Sequence, residues 1–298
     1  MVEMRILLKN VTKRYSRNII GVRNVSIDIE GEAIVSILGP NGSGKSTILK
    51  LIAGLAKPSE GEVYVDSYRM PYERDKVATY MSAVIENPVP HSNKLSVREL
   101  LDFACKVKGL GMEDLREVVS LLNIEANLGK RLDELSKGLY KKVILACALM
   151  GRPRIILLDE PFEGLDMPTT FRLSEYLKEL SKKSMIILAT HSLHIASSLS
   201  DRVVLLRDGS IYREYGKEQL AEIIKRRRIV IETRSEIDVN KYVGTGVIEV
   251  KKIGDRIYEV LYDTRRELDV LKILASIDIV SIKEREEDLV QLYSDLYG

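Results

Sequence analysis

Through residue 228, short runs of β-branched and aliphatic residues alternate with longer segments in which apolar positions recur every three to four residues. The short runs read as strands: Val25–Ile29, Ala33–Leu38, Glu62–Asp66, Ala78–Val84, Arg154–Leu158, Met185–Ala189 and Arg202–Leu206. Several are apolar throughout, as strands buried on both faces of a sheet are. Helical periodicity follows at Ser46–Ala53, Pro168–Ser181 and Ser192–Leu199, which predicts an α/β core with a mostly parallel sheet. Between Ser96 and Met150 the strand signals vanish, and Val97–Lys108, Met112–Leu122 and Ser136–Met150 carry the helical period. A helical subdomain, about 90–150, is therefore expected as an insertion into the core.

Beyond residue 228 the order changes. Strand Ile229–Thr233, helix Glu236–Val243, strands Val247–Lys252 and Arg256–Tyr262, helix Thr264–Ser276, strand Ile277–Lys283 and helix Glu286–Leu296 follow one another. Without the last helix this is β-α-β-β-α-β, the ferredoxin-like order. The expected division is 1–228 for the α/β core and 229–298 for a small α+β accessory domain. Charge supports it: residues 229–298 hold 10 Lys+Arg against 15 Asp+Glu in a chain whose net charge is +2. The change falls at Lys225-Arg226-Arg227-Arg228, which reads as a solvated helix end; a nucleic-acid patch or an anionic lipid contact are the sharper alternatives.

At 298 residues and 45% apolar the chain can bury a large core, which excludes dominant disorder. The longest apolar run, Val143–Met150, is far short of a bilayer span, and the first ten residues lack a signal-peptide pattern. Cys105 and Cys147 stand singly, without metal-ligand or redox spacing, and read as reduced core residues.

The strongest chemical signal is Gly39-Pro40-Asn41-Gly42-Ser43-Gly44-Lys45-Ser46, a G-x-x-x-x-G-K-[ST] match set between a strand and a helix. Glycines let consecutive backbone N–H groups and a helix N-terminus wrap phosphate oxygens. Lys45 then neutralises β- and γ-phosphate charge, the Ser46 hydroxyl suits Mg²⁺, and Thr47 completes the set. A nucleoside triphosphate with Mg²⁺ is the expected ligand, in a P-loop NTPase fold. A second buried-type strand ends in Asp159-Glu160, and strand ends of a parallel sheet face the ligand crevice. Successive strand residues point to opposite faces, so Asp159 is expected to hold Mg²⁺ and Glu160 to activate the attacking water. His191, after strand Met185–Ala189, ends near the same crevice as a γ-phosphate contact, while His194 and His91 read as surface residues.

At this point residues 1–228 resemble the ATP-binding subunits of ABC transporters. Leu135-Ser136-Lys137-Gly138-Leu139 stands where that family has its LSGGQ signature, with Lys137 for Gly and Leu139 for Gln. The resemblance carries over Ser136 and Gly138 as contacts to nucleotide held by the other subunit of a dimer, and Asp166, in Phe162-Glu163-Gly164-Leu165-Asp166, as a cross-dimer contact. Tyr15 resembles the aromatic that stacks on adenine and also reads as a packing tyrosine. The Q-loop position falls on Glu86, with Asn87 as the other register, and Glu86 would meet Mg²⁺ or its water. The resemblance further implies ATP and Mg²⁺ as ligands, a homodimer or paired ATPase subunit, and a separate membrane-spanning permease. It implies a cytoplasmic place on the inner face of the membrane and no nucleic-acid partner. The Ser-Lys-Gly signature, acidic Q-loop and small C-terminal domain look like those of drug, antibiotic and lipid exporters. The alternative is a soluble ABC-type switch acting on ribosomes or DNA; a single phosphate loop and no sustained heptads count against it.

Overall fold

A computed structural model of the chain describes residues 4–86, 94–224, 226–244 and 246–285. The chain falls into two units, Met1–Tyr215 and Gly216–Gly298. In the first, β1 (Arg5–Arg14) and β2 (Ile20–Glu30) form an antiparallel hairpin, followed by β3 (Ala33–Leu38) and α1 (Lys45–Ile52). Next, β4 (Glu60–Val65) and β5 (Tyr68–Met70) complete a four-stranded sheet of order β2-β1-β4-β5. Helix α2 (Arg74–Ala78) and strand β6 (Met81–Val84) lead to three helices, α3 (Val97–Val107), α4 (Met112–Leu122) and α5 (Lys137–Leu149). The unit ends with β7 (Ile155–Asp159), α6 (Met167–Leu180), β8 (Met185–Thr190), α7 (Leu193–Leu199), β9 (Arg202–Arg207) and β10 (Ser210–Gly216). The second sheet has the order β10-β9-β3-β8-β7-β6, with β3 parallel to both β8 and β9.

The central strands β3, β8 and β7 of this second sheet are buried on both faces, which is why they are almost wholly apolar. Ile155, Leu157 and Ile187 join a core with α1 and the antiparallel sheet, whereas their neighbours Ile156, Leu158, Ile186 and Leu188 join a core with α3 to α6. Helix α1 sits between the two sheets with Ile48, Leu49, Leu51 and Ile52 essentially inaccessible, each contributing about 1.5–3 kcal/mol by leaving water. Side-chain caps start the helices that matter for the site: Ser136 for α5, Asp166 for α6 and Ser192 for α7.

Several elements differ from the sequence pattern. Strand β1 carries no clean alternation because a bulge at Asn10, in the left-handed region at φ 47°, resets its inward face after Leu8. The segment read as one strand from Ala78 splits, because residues 74–78 form α2 and Tyr80 N–H turns back to the Val77 carbonyl. Cys105 is buried; Cys147 is partly buried, and burial pushes its thiol up to about 11. Both are free thiols.

In the second unit, α8 (Lys217–Ile224) precedes β11 (Arg226–Thr233), β12 (Val247–Gly254), β13 (Ile257–Asp263), α9 (Glu267–Ala275) and β14 (Ile279–Arg285). The sheet order is β12-β13-β11-β14 with antiparallel neighbours, which is the ferredoxin-like arrangement. The helix expected at 236–243 reduces to a 3-10 turn, Val239–Tyr242, and the Ile237 N–H just before it bonds the Tyr258 hydroxyl at 3.1 Å. The helix expected at 286–296 lies outside the described residues.

The basic run is not a helix end. Arg226–Arg228 open β11, and the composition change at residue 228 falls within that strand. Arg228 is buried and its Nη1 lies 2.7 Å from Glu259 Oε2, also buried. Arg228→Met is expected to destabilise the second unit by about 3–5 kcal/mol, because Glu259 would remain as a buried charge without this partner. Replacing Glu259 with Met in the same chain should recover most of that loss in a denaturant titration; a double variant as unstable as the single one would contradict this account.

Candidate functional site

The phosphate loop joins the end of β3 to α1, and its backbone requires the glycines the sequence supplies. Gly44 has φ 104°, and a Cβ there would stand 2.4 Å from the Gly21 carbonyl. A Cβ on Gly39 would meet Ser43 Oγ at 2.5 Å and the Leu206 carbonyl at 2.7 Å. At Gly42, φ 82°, nothing lies within 4 Å, so the loop opens toward the cleft there. Lys45 Nζ bonds the Gly39 and Pro40 carbonyls at 2.8 and 3.2 Å, which folds the ammonium back over the loop. Ser43 Oγ is buried and has no hydrogen-bond partner among the described residues. An unpartnered buried hydroxyl beside a loop of inward-facing amides fits a phosphate oxygen.

Around this loop lies a cleft of about 560 Å³, lined by Asn41, Gly42, Gly44, Lys45, Ser46 and Thr47 together with Tyr15, Glu86, Asp159, Glu160 and His191. The phosphate-loop residues reach it through the turn from β3 to α1, and the topology supplies the strand-end groups: β8 lies beside β3 and β7 beside β8 in one parallel set, so their C-terminal ends open on the same side. Asp159 continues the Ile155/Leu157 face toward α1 and is almost fully buried. Ser46, Asp159 and Glu86 all line the cleft, and a hydroxyl and carboxylates are the hard oxygen donors that suit Mg²⁺.

Glu160 is held through both its backbone and its side chain. Its N–H donates to the Ala189 carbonyl at 2.9 Å, Lys141 donates to its carbonyl, and its Oε1 lies 2.9 Å from His191 Nδ1 and 3.6 Å from Lys45 Nζ. A carboxylate only accepts, so His191 Nδ1 carries the proton and Nε2 is left for the cleft. The backbone at Glu160 has φ 46°, a left-handed conformation rare for this residue type. Glu86 is in the same region at φ 68°; its N–H approaches Asp159 Oδ2 at 3.4 Å and its carboxylate pairs with Lys50. That hydrogen bond to Glu86 holds the Lys50 ammonium above its ordinary range. Asn87 and His91 lie outside the described residues.

Tyr15 follows β1, its hydroxyl 3.3 Å from Thr47 Oγ1 and Lys13 over its ring at 5.2 Å. Its ring is half-exposed at the cleft, so an aromatic face and a packing contact coexist.

Ser136, Gly138 and Asp166 do not line this cleft. Ser136 Oγ accepts from the Leu139 N–H at 3.3 Å, and Gly138 packs so closely that a Cβ would stand 2.9 Å from the Gly164 carbonyl. Asp166 accepts from the Thr169 N–H at 2.9 Å and pairs with Lys142 Nζ at 2.6 Å. Chiefly the Lys142 bond holds its carboxyl well below the usual carboxylate range. Sequence reasoning missed Lys141 and Lys142, since nothing local announces contacts to residues some twenty positions away.

Among the described residues no helix is long and apolar enough to cross a membrane. The ABC transporter family model matches residues 22–163. The chain is 31% identical over 206 residues to the ABC transporter ATP-binding protein YhcH of Bacillus subtilis (strain 168), covering 68% of this chain and 67% of that protein. It is 32% identical over 214 residues to the Fe(3+) ions import ATP-binding protein FbpC of Escherichia coli (strain K12), spanning 68% of this chain and only 60% of that protein's length. Among solved structures, the dimeric post-hydrolysis state of the ATP-binding cassette MJ0796 bound to ADP and Pi is 31% identical, with a TM-score of 0.65 over 71% of this chain and 98% of that one. On motif order, fold and relatives together, the chain belongs to the ATP-binding subunits of ABC transporters.

Proposed function

We propose that this chain binds and hydrolyses ATP as one half of a dimer that encloses two nucleotides and drives a membrane-spanning permease from its inner face. The observation that carries the reading is the convergence of the phosphate loop, Asp159, Glu160 and His191 on one cleft that Ser136 and Gly138 do not reach. The loop amides and Lys45 bind the phosphates, and the Tyr15 ring offers a stacking face to the base. Ser46 and Asp159, with Glu86, hold Mg²⁺, which when bound neutralises charge on the β- and γ-phosphates. Glu160 orients water in line with the γ-phosphorus and accepts its proton as the bond to the β–γ bridging oxygen breaks. His191 fixes the Glu160 carboxylate through Nδ1 and presents Nε2 to the γ-phosphate side.

The second subunit is this chain or a paired ATPase, and it supplies Ser136, Gly138 and Asp166 across the interface. The Ser-Lys-Gly signature and the acidic Glu86 favour export. Import is the second reading, favoured by the name of the FbpC relative. Purification from native membranes should bring down a multi-span protein; recovery of ribosomes or DNA in its place would favour the soluble switch. In vesicles carrying the purified pair with the ATPase facing outward, export fills the lumen with cargo when ATP is added, and import empties it.

A further inference from the structure

Lys141 lies on α5, five residues after the Ser136 cap, and is 3% exposed. Burial pulls its ammonium below the ordinary lysine range, and a buried ammonium persists only where acceptors surround it. Here the acceptors are two backbone carbonyls of one turn, Glu160 and Glu163, the latter at 2.9 Å. That turn begins at the residue with φ 46° and carries the carboxylate that faces His191 and Lys45. The next residue, Lys142, reaches the far end of the same loop, bonding Asp166 Oδ2 at 2.6 Å and Thr169 Oγ1 at 2.8 Å. Between them Gly138 packs on the Gly164 carbonyl. Three points of α5's first two turns thus hold residues 160–166.

We infer that Lys141 is a positioning residue for Glu160. It clamps the base's turn to the helix whose N-terminal cap is Ser136, so that the seating of a γ-phosphate on one subunit's α5 sets the aim of that same subunit's Glu160 on the other nucleotide. This rests on the composite-dimer reading above. The local half of the inference, Lys141 holding Glu160, stands on distances within one chain. Of the side chains that hold Glu160, Lys141 is the one whose removal leaves the carboxylate, the histidine and the phosphate loop chemically intact.

The test is steady-state ATP hydrolysis and equilibrium ATP binding for Lys141→Met and Lys141→Arg beside the unaltered protein. Met keeps the length of the stem and removes every donor; Arg restores donors to the two carbonyls. Lys141→Met should lower kcat about 10- to 100-fold, the scale of a displacement near 1 Å at a reacting group, with ATP affinity within about twofold, and Lys141→Arg should regain most of the loss. An unchanged kcat in Lys141→Met overturns the proposal. So does loss of ATP binding along with kcat, which would make the lysine a support of the fold rather than of the base. A Ser136→Arg variant run in parallel separates the two readings: if it keeps full activity while Lys141→Met is impaired, the composite dimer fails and only the within-chain positioning stands.

Discussion

Replacing Glu160 with Gln should reduce turnover by about 10²- to 10⁴-fold, the range for loss of a general base, while ATP still binds. Gln keeps the shape of the side chain and can still meet His191 Nδ1 and Lys45, so the cleft should retain its geometry. What disappears is a negative charge and a proton acceptor. Removing a negative charge 3.6 Å from Lys45 leaves that ammonium more available to the phosphates, so affinity should hold or improve. Phosphate release under single-turnover and steady-state conditions, with nucleotide affinity measured separately, decides it. A Glu160→Gln protein turning over near the parent rate would place the base elsewhere in the cleft.

The second large effect concerns Ser136. In one chain its hydroxyl caps α5 and stands outside the nucleotide cleft, so a contact to ATP requires a second subunit. Ser136→Arg should put a long cation at that helix start, prevent close approach of the γ-phosphate to the N–H groups, and abolish hydrolysis while the phosphate loop still binds ATP. The same change removes the cap, worth about 1 kcal/mol. Ser136→Ala is therefore the control: it loses the cap without the obstruction and should retain far more activity. The parent protein's specific activity should also fall on hundredfold dilution, because the competent species is the dimer. Constant specific activity across that dilution in a verified monomer would sink the composite site.

Much of the site was legible because its chemistry is local. The phosphate loop needs glycines at fixed offsets, and each offset is a backbone requirement visible in Gly39 and Gly44. Asp159 and Glu160 announce themselves by following four aliphatics, since only a doubly buried strand is so apolar, and such strands end at the crevice. Tyr15, Glu86, Ser136, Gly138 and Asp166 came from resemblance instead, because a lone tyrosine or a capped helix has no chemistry of its own. The fold was less legible where tertiary pairing overrides pattern. Strand β1 is disguised by its bulge, and Arg228 of β11 looks solvated until Glu259 is placed 2.7 Å from it. The helix expected at 236–243 is only a 3-10 turn, Val239–Tyr242, and the Ile237 N–H ahead of it goes to the Tyr258 hydroxyl on a strand the local pattern does not reveal. Lys141 gave no signal, since its meaning depends on where residues 160 and 163 arrive.

The central position of β3 also dictates an order of assembly. Its partners are β8 and β9, about 150 residues later in the chain. The phosphate loop leans on the same late segment: Gly39 N–H donates to the Thr190 carbonyl at 3.3 Å, and Gly209 N–H to the Ser43 carbonyl at 3.2 Å. During synthesis the glycine-rich loop therefore emerges early but lacks its Thr190 and Gly209 contacts until residue 209 has left the ribosome. At about 5–20 residues per second, that interval lasts on the order of ten to thirty seconds. Until β8 has emerged, for most of that interval, the apolar strand that precedes the loop lacks both neighbours, so a nascent chain is exposed to misassociation while its phosphate-loop motif is already complete in sequence.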